Sequence, residues 1–95
     1  MKHYIYLLAD LGDGRLFIGT TDGYPDSQLR AREVAAGRPL VYLGYLSTYG
    51  HDSASRAELM HAFAEHHIMG GWFRDVPAIR ERFGVEPAPS NPFTK

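Results

Sequence analysis

Cysteine is absent from this 95-residue chain. That excludes a disulfide framework, a thiolate nucleophile and any cysteine-ligated zinc, and it accords with a reducing cytoplasm. An excess of positive charge is also missing: ten Lys and Arg stand against eleven Asp and Glu, for a formal net charge of -1. Tight sequence-independent binding of nucleic acid normally leaves a basic footprint, so any such binding here must rest on a local cluster. Long apolar runs are missing too. The first one meets Asp10 too soon for a signal peptide or a membrane-spanning helix. The expectation is a cytoplasmic protein with no membrane partner. What the chain does have is 44% hydrophobic and 13% aromatic residues, enough for one modest core.

Two stretches rich in Tyr, Ile and Leu, from His3 to Leu8 and from Arg15 to Thr21, flank Leu11-Gly12-Asp13-Gly14. Asp and Gly tolerate positive φ, so this predicts a β-hairpin. After Asp22-Gly23-Tyr24, Pro25 suits the first turn of a helix that runs to about Ala36 and stops at Gly37. Leu40 to Tyr49 is a third strand, ended by Gly50-His51-Asp52. Leu59, Met60, Phe63 and His67 recur at three- and four-residue spacing, which predicts a second helix over 53–67, broken by Gly70-Gly71. A short helix follows from Pro77 to Phe83. Residues 1–86 read as one domain and 87–95, with Pro87, Pro89 and Pro92, as an extended tail. The fold class is α/β (α+β), in the order β-β-α-β-α-α, with a small three-stranded mixed or antiparallel sheet flanked by helices.

Several landmarks in this order resemble the GIY-YIG nuclease superfamily, in its compact phage and bacterial branch. Tyr4-Ile5-Tyr6 stands where the first signature triplet would be, and Phe17-Ile18-Gly19 where the second would be. Arg30 precedes Gly37-Arg38-Pro39 as the family's first-helix arginine precedes its Gly-x-Pro exit. Phe63 and Gly70-Gly71-Trp72-Phe73 are similar to the branch's second-helix Phe and Gly-x-Trp-Phe ending. The resemblance spans residues 3–74. It implies a DNA endonuclease that hydrolyses phosphodiesters with Mg²⁺ or Mn²⁺. In that scheme Tyr6 activates or positions water, and Arg30 neutralises charge on the phosphoryl oxygens with its planar fork. A second-helix carboxylate, here Glu58, holds the metal. Tyr4, Phe17 and Gly19 shape the site. The resemblance implies that a catalytic domain this small either has low specificity or takes it from a protein partner.

The sequence departs from that pattern in four places, one of them Met60, which falls at the branch's usual histidine position. Phe17 replaces the usual second-triplet tyrosine, Arg56 falls at the usual glutamate position, and Gly71 replaces a glutamate often found before Trp-Phe. Glu58 lies two residues from Arg56, about 200° around a helix, and Ser55-x-x-Glu58 also reads as a capping box. Arg30 and Arg32 point to different sides of their helix, so at most one faces any site. Tyr6 also reads as a plain strand tyrosine, Gly19 as a close approach to the first helix or a ligand, and Trp72-Phe73 as a core plug. His61 and Glu65, four apart beside His66-His67, would share a helix face and form a transition-metal pair. The rival to the nuclease is therefore a GIY-YIG-fold module that has lost catalysis and binds DNA or a protein partner.

Overall fold

The computed structural model describes residues 3–49 and 54–86. The hairpin forms as the turn residues predict: β1 (Tyr4–Asp10) and β2 (Arg15–Thr21) pair antiparallel, with Tyr6 opposite Gly19 and Asp10 opposite Arg15. A 3₁₀ turn at Pro25–Ser27 leads into α1 (Gln28–Ala36), which Gly37 closes in the left-handed region at φ 73°. β3 (Val41–Ser47) then pairs antiparallel with β1 on its other side.

α2 (Arg56–Ala62) is half the expected length. It ends in a 3₁₀ turn at Ala64–His66, and the chain then forms β4 (His67–Met69) and β5 (Trp72–Arg74) around Gly70 at φ 54°. Gly70-Gly71 is therefore a hairpin turn rather than a helix break. β5 adds to β2, giving a five-stranded antiparallel sheet in the order β3-β1-β2-β5-β4. This corrects both the three-stranded sheet and the order β-β-α-β-α-α. The periodic reading ran on to His67 because a three-residue strand carries too few side chains to show its alternation. His61 and Glu65 accordingly lie on different elements, so the helical pair does not exist. Glu65 instead contacts its neighbour His66 at 3.4 Å. α3 (Pro77–Arg82) begins at a proline and ends near Phe83, as read. The break at Gly50-His51-Asp52 and the tail 87–95 lie outside the described residues.

Strand alternation divides the core in two. Ile5, Leu7, Ala9, Leu16 and Ile18 point to one face, where Leu59 of α2, Ile79 of α3 and Phe83 cover them. Tyr6 and Leu8 point to the other face, where they pack with Leu40, Phe17, Trp72 and residues Leu29 and Ala36 of α1. The sheet thus lies between α1 on one side and α2 with α3 on the other. β3 carries one extra residue opposite the Leu7–Leu8 step, so both Tyr42 and Tyr45 stand opposite residues of the α1 face, Leu8 and Tyr6. Among the described residues no helix is long and apolar enough to cross a membrane.

Candidate nucleic-acid interface

The α1 face carries the chemistry. Tyr6 is buried at 0% exposure in the middle of β1. A phenol in that position needs a partner for its hydroxyl, and Arg32 of α1 supplies one: its Nε–H donates to the Tyr6 hydroxyl at 2.9 Å. The Arg32 guanidinium also lies over the Phe17 ring, 4.6 Å from its centroid. Phe17 meets Trp72 edge to face at 5.1 Å. Phe17, Arg32, Ala35, Ala36 and Trp72 line a small cleft of about 90 Å³. Among the described residues no carboxylate pairs with Arg32. Its terminal nitrogens are left at the cleft while Nε and the guanidinium plane are fixed.

Gly19 stands opposite Tyr6 because no side chain fits there. A Cβ on Gly19 would fall inside the Tyr6 phenol and 2.8 Å from Phe17 Cε2. The close approach is thus to the Tyr6 ring, not to α1 or a ligand. Gly71 has a similar constraint: a Cβ there would sit 2.8 Å from the Ile18 carbonyl oxygen and 2.8 Å from the Phe17 ring. The carboxylate often present at that position in the family has no room here. Tyr4 lies at the far end of the same face, edge-on to Tyr45.

Arg30 is exposed and lines a surface hollow with Glu33, Val34, Arg38 and Pro39, away from Tyr6. The arginine at the phenol is Arg32. A signal for it was present in the sequence: Leu29, Arg32 and Ala36 follow three- and seven-residue spacing, one stripe of the helix that rests on the sheet. Arg56 is exposed on α2. Glu58 sits on the opposite side of the sheet from Tyr6. Its backbone N–H donates to the Ser55 hydroxyl at 3.0 Å, an N-cap, and its carboxylate lies 4.0 Å from Arg82. Tyr6 and Glu58 therefore do not share a site, and the residues do not fit the Mg²⁺ or Mn²⁺ centre that the resemblance implies. Among the described residues no three His, Asp or Glu side chains come together as a metal cage.

No protein-family model, curated protein or solved structure matches the chain.

The hairpin turn borders the cleft with a closed ionic network. Asp10, buried at the end of β1, accepts from Arg15 Nη2 at 3.0 Å and from the Asp13 N–H at 3.3 Å, and Arg38 Nε lies 3.2 Å away. Arg38 also donates to Asp13 at 2.7 Å. Arg15 covers the Trp72 ring at 4.4 Å. Burial pushes the Asp10 carboxyl up, but the Arg15 and Asp13 hydrogen bonds and the Arg38 and Arg15 charges outweigh it, so it lies below the ordinary 3.8. A carboxyl lowered in the folded state stabilises fully above its unfolded pKa and loses that contribution as pH falls through the lower folded value. In urea titrations, Asp10→Asn is expected to destabilise by a constant amount above about pH 5. Its deficit against wild type should shrink as the pH drops below about 4. A deficit independent of pH would remove Asp10 as the anchor of this network.

Proposed function

We propose that the chain is a GIY-YIG-like module that binds DNA through the sheet face beneath α1 without cutting it. The observation that carries the reading is Arg32. Its guanidinium is held in place by Tyr6 and Phe17, and its terminal nitrogens meet no carboxylate among the described residues. A planar fork fixed in advance loses little side-chain freedom on meeting a phosphate, which is why arginine suits such sites. Arg74 is exposed on β5 opposite Arg15, at the same edge of this face, and supplies a second cation. Arg15 and Arg38 are neutralised by Asp10 and Asp13 and add little. Tyr6 is a positioning residue: with no exposed surface and its hydroxyl held by Arg32, it orients the fork rather than touching substrate.

With about two phosphate contacts the binding is weak and only moderately salt-dependent, with log K falling against log salt at a slope near -2 on duplex DNA. Fluorescence anisotropy with a labelled duplex measures this. Arg32→Ala is expected to lower affinity about tenfold, as loss of one charge-assisted contact would. Arg32→Lys should not restore it, because lysine cannot bond Tyr6 and present a fork at once. A slope near zero, or an Arg32→Ala variant that binds as well as wild type, would overturn the assignment. So would Mg²⁺- or Mn²⁺-dependent nicking of supercoiled plasmid that is lost in Tyr6→Phe and Arg32→Ala, which would make the chain the nuclease instead.

A further inference from the structure

The other end of the α1 face has a different character. Tyr4, Tyr24, Pro25, Asp26, Tyr42 and Tyr45 line a hollow of about 370 Å³. Four of the six tyrosines in the chain meet there. They converge because of two local features. The β3 bulge brings Tyr42 and Tyr45, three apart in sequence, opposite residues of the same face. The 3₁₀ turn at Pro25–Ser27 then lays Tyr24 and Pro25 over β1 and β3. Tyr4 and Tyr45 stand almost perpendicular, edge to face, with centroids 5.4 Å apart and planes at 87°.

The charged side chains described around this corner are acidic. Asp26 lines the hollow, and Asp22 lines an adjoining one that shares Tyr4 and Tyr24. Among the described residues no Lys or Arg lines either hollow. Among the described residues neither aspartate pairs with a cation. The Tyr42 phenol feels this: burial, then the Asp26 charge and Tyr45, hold it above its ordinary 10.0. Packing does not explain the arrangement, since Tyr24 is 81% and Tyr45 52% exposed. Exposed aromatic rings beside a carboxylate with no cation partner among the described residues attract a cation whose charge is spread over alkyl groups. Such a cation is drawn to a ring face within about 6 Å of its centroid and is cheap to strip of water.

We infer that the corner formed by Tyr4, Tyr24 and Tyr45, with Asp26 at its rim, is a binding site for a quaternary ammonium group. The group comes either from a small alkylammonium compound or from a trimethylated lysine side chain, and the site is separate from the Arg32 cleft. A cation seated in the hollow meets the ring surfaces of Tyr4, Tyr24 and Tyr45 that line it, and Asp26 supplies the counter-charge. The selectivity follows from the same chemistry: a neutral tert-butyl group fits the shape but gains neither the ring quadrupoles nor the carboxylate.

The test is a titration of the full chain, followed by NMR of the tyrosine ring resonances at constant ionic strength. The probes are tetramethylammonium, choline, its neutral isostere 3,3-dimethyl-1-butanol, and a peptide carrying trimethyllysine or unmodified lysine. Saturable shifts of Tyr4, Tyr24 and Tyr45 are expected with the quaternary cations, and weaker ones with the isostere and unmodified lysine. Choline binding tighter than the trimethyllysine peptide assigns a small-molecule source, and the reverse order assigns a peptide. Tyr24→Ala and Tyr45→Ala should each weaken binding about three- to fivefold. Asp26→Asn should weaken the cations while leaving the isostere unchanged. These side chains are exposed, so thermal melting checks that the fold is kept, and Val34→Ala on the outer side of α1 should bind as wild type. No saturable shift with any quaternary cation overturns the inference, as does an isostere that binds as well as choline.

Discussion

Asp75→Ala is expected to cost the fold about 3 kcal/mol in urea denaturation, the largest loss of any single truncation away from the apolar core. Arg80 of α3 is only 3% exposed, yet it carries a full charge. Asp75 meets it with two parallel bonds, Nε to Oδ1 at 2.7 Å and Nη2 to Oδ2 at 2.8 Å. The Asp75 hydrogen bonds, acting against burial, hold the guanidinium above its already high value, so it cannot escape by losing its proton. Truncating Asp75 leaves a buried cation whose one remaining partner among the described residues is the Glu86 carbonyl at 3.1 Å. That residual bond places the cost at the lower end of the range for broken buried pairs, about 3–5 kcal/mol. For a domain of this size, about 5–14 kcal/mol stable, the loss is a large fraction of the total. The double replacement Asp75→Leu with Arg80→Met should recover most of it, because no charge is then left unpaired. A loss below about 1 kcal/mol in Asp75→Ala would mean that Arg80 reaches water and that the pair is a surface one.

The α1 face is electrostatically split along β1. Six residues separate Tyr4 from Asp10, about 20 Å at strand rise. Arg15, Arg38 and Arg74 gather toward the Asp10 end with Asp10 and Asp13, Arg32 stands at Tyr6 between the two ends, and Asp22 and Asp26 lie beside hollows that Tyr4 lines. A near-neutral total hides this separation, which is why net charge argued against nucleic acid while the local arrangement favours a phosphate at Arg32. On the proposed reading, the acidic side chains would disfavour a polyanion at the tyrosine corner and Arg32 a cation at the cleft, so the two sites are open to independent tests.

The hairpin and the first helix were legible because their boundaries rest on single residues with strong local preferences: Gly12-Asp13-Gly14 for the turn and Gly37 for the cap. The β4–β5 hairpin was not legible, because His67-Ile68-Met69 and Trp72-Phe73-Arg74 are three-residue strands whose pairing with β2 is non-local. Leu59, Met60 and Phe63 do follow helical spacing, and His67 continues it by accident. The site was half legible. Tyr6 and Gly19 stand out in the sequence, but that the glycine makes room for the phenol appears only in the register of β1 against β2. Glu58 could be read as a cap or a ligand from spacing. Only the side of the sheet on which α2 packs separates it from Tyr6, and no local pattern encodes that choice. The tyrosine corner was invisible because the β3 bulge, which turns Tyr45 to the side of Tyr42, has no residue signature beyond Gly44.

Gly19→Ala is expected to cost about 1–3 kcal/mol, in the range for overpacking a filled site, and to weaken DNA binding with it. The added methyl would occupy the space of the Tyr6 phenol and press on Phe17 at 2.8 Å. A ring can swing away only if it has somewhere to go, and Tyr6 is fully buried with its hydroxyl bonded to Arg32. The strain therefore passes to Arg32, and the fork loses its anchor. Stability and affinity report different parts of this chain of contacts. Tyr6→Leu vacates the space that the methyl would fill, so Gly19→Ala in that background should cost much less than it does alone. The shortfall in a double-mutant cycle measures the clash, with neighbours in contact typically coupling by about 0.5–3 kcal/mol. DNA affinity should stay low in the double variant, because removing the hydroxyl frees Arg32 however well the core repacks. Restored stability with restored affinity would show that Arg32 is oriented without Tyr6. Additive losses would show that Gly19 is needed for a reason other than the ring.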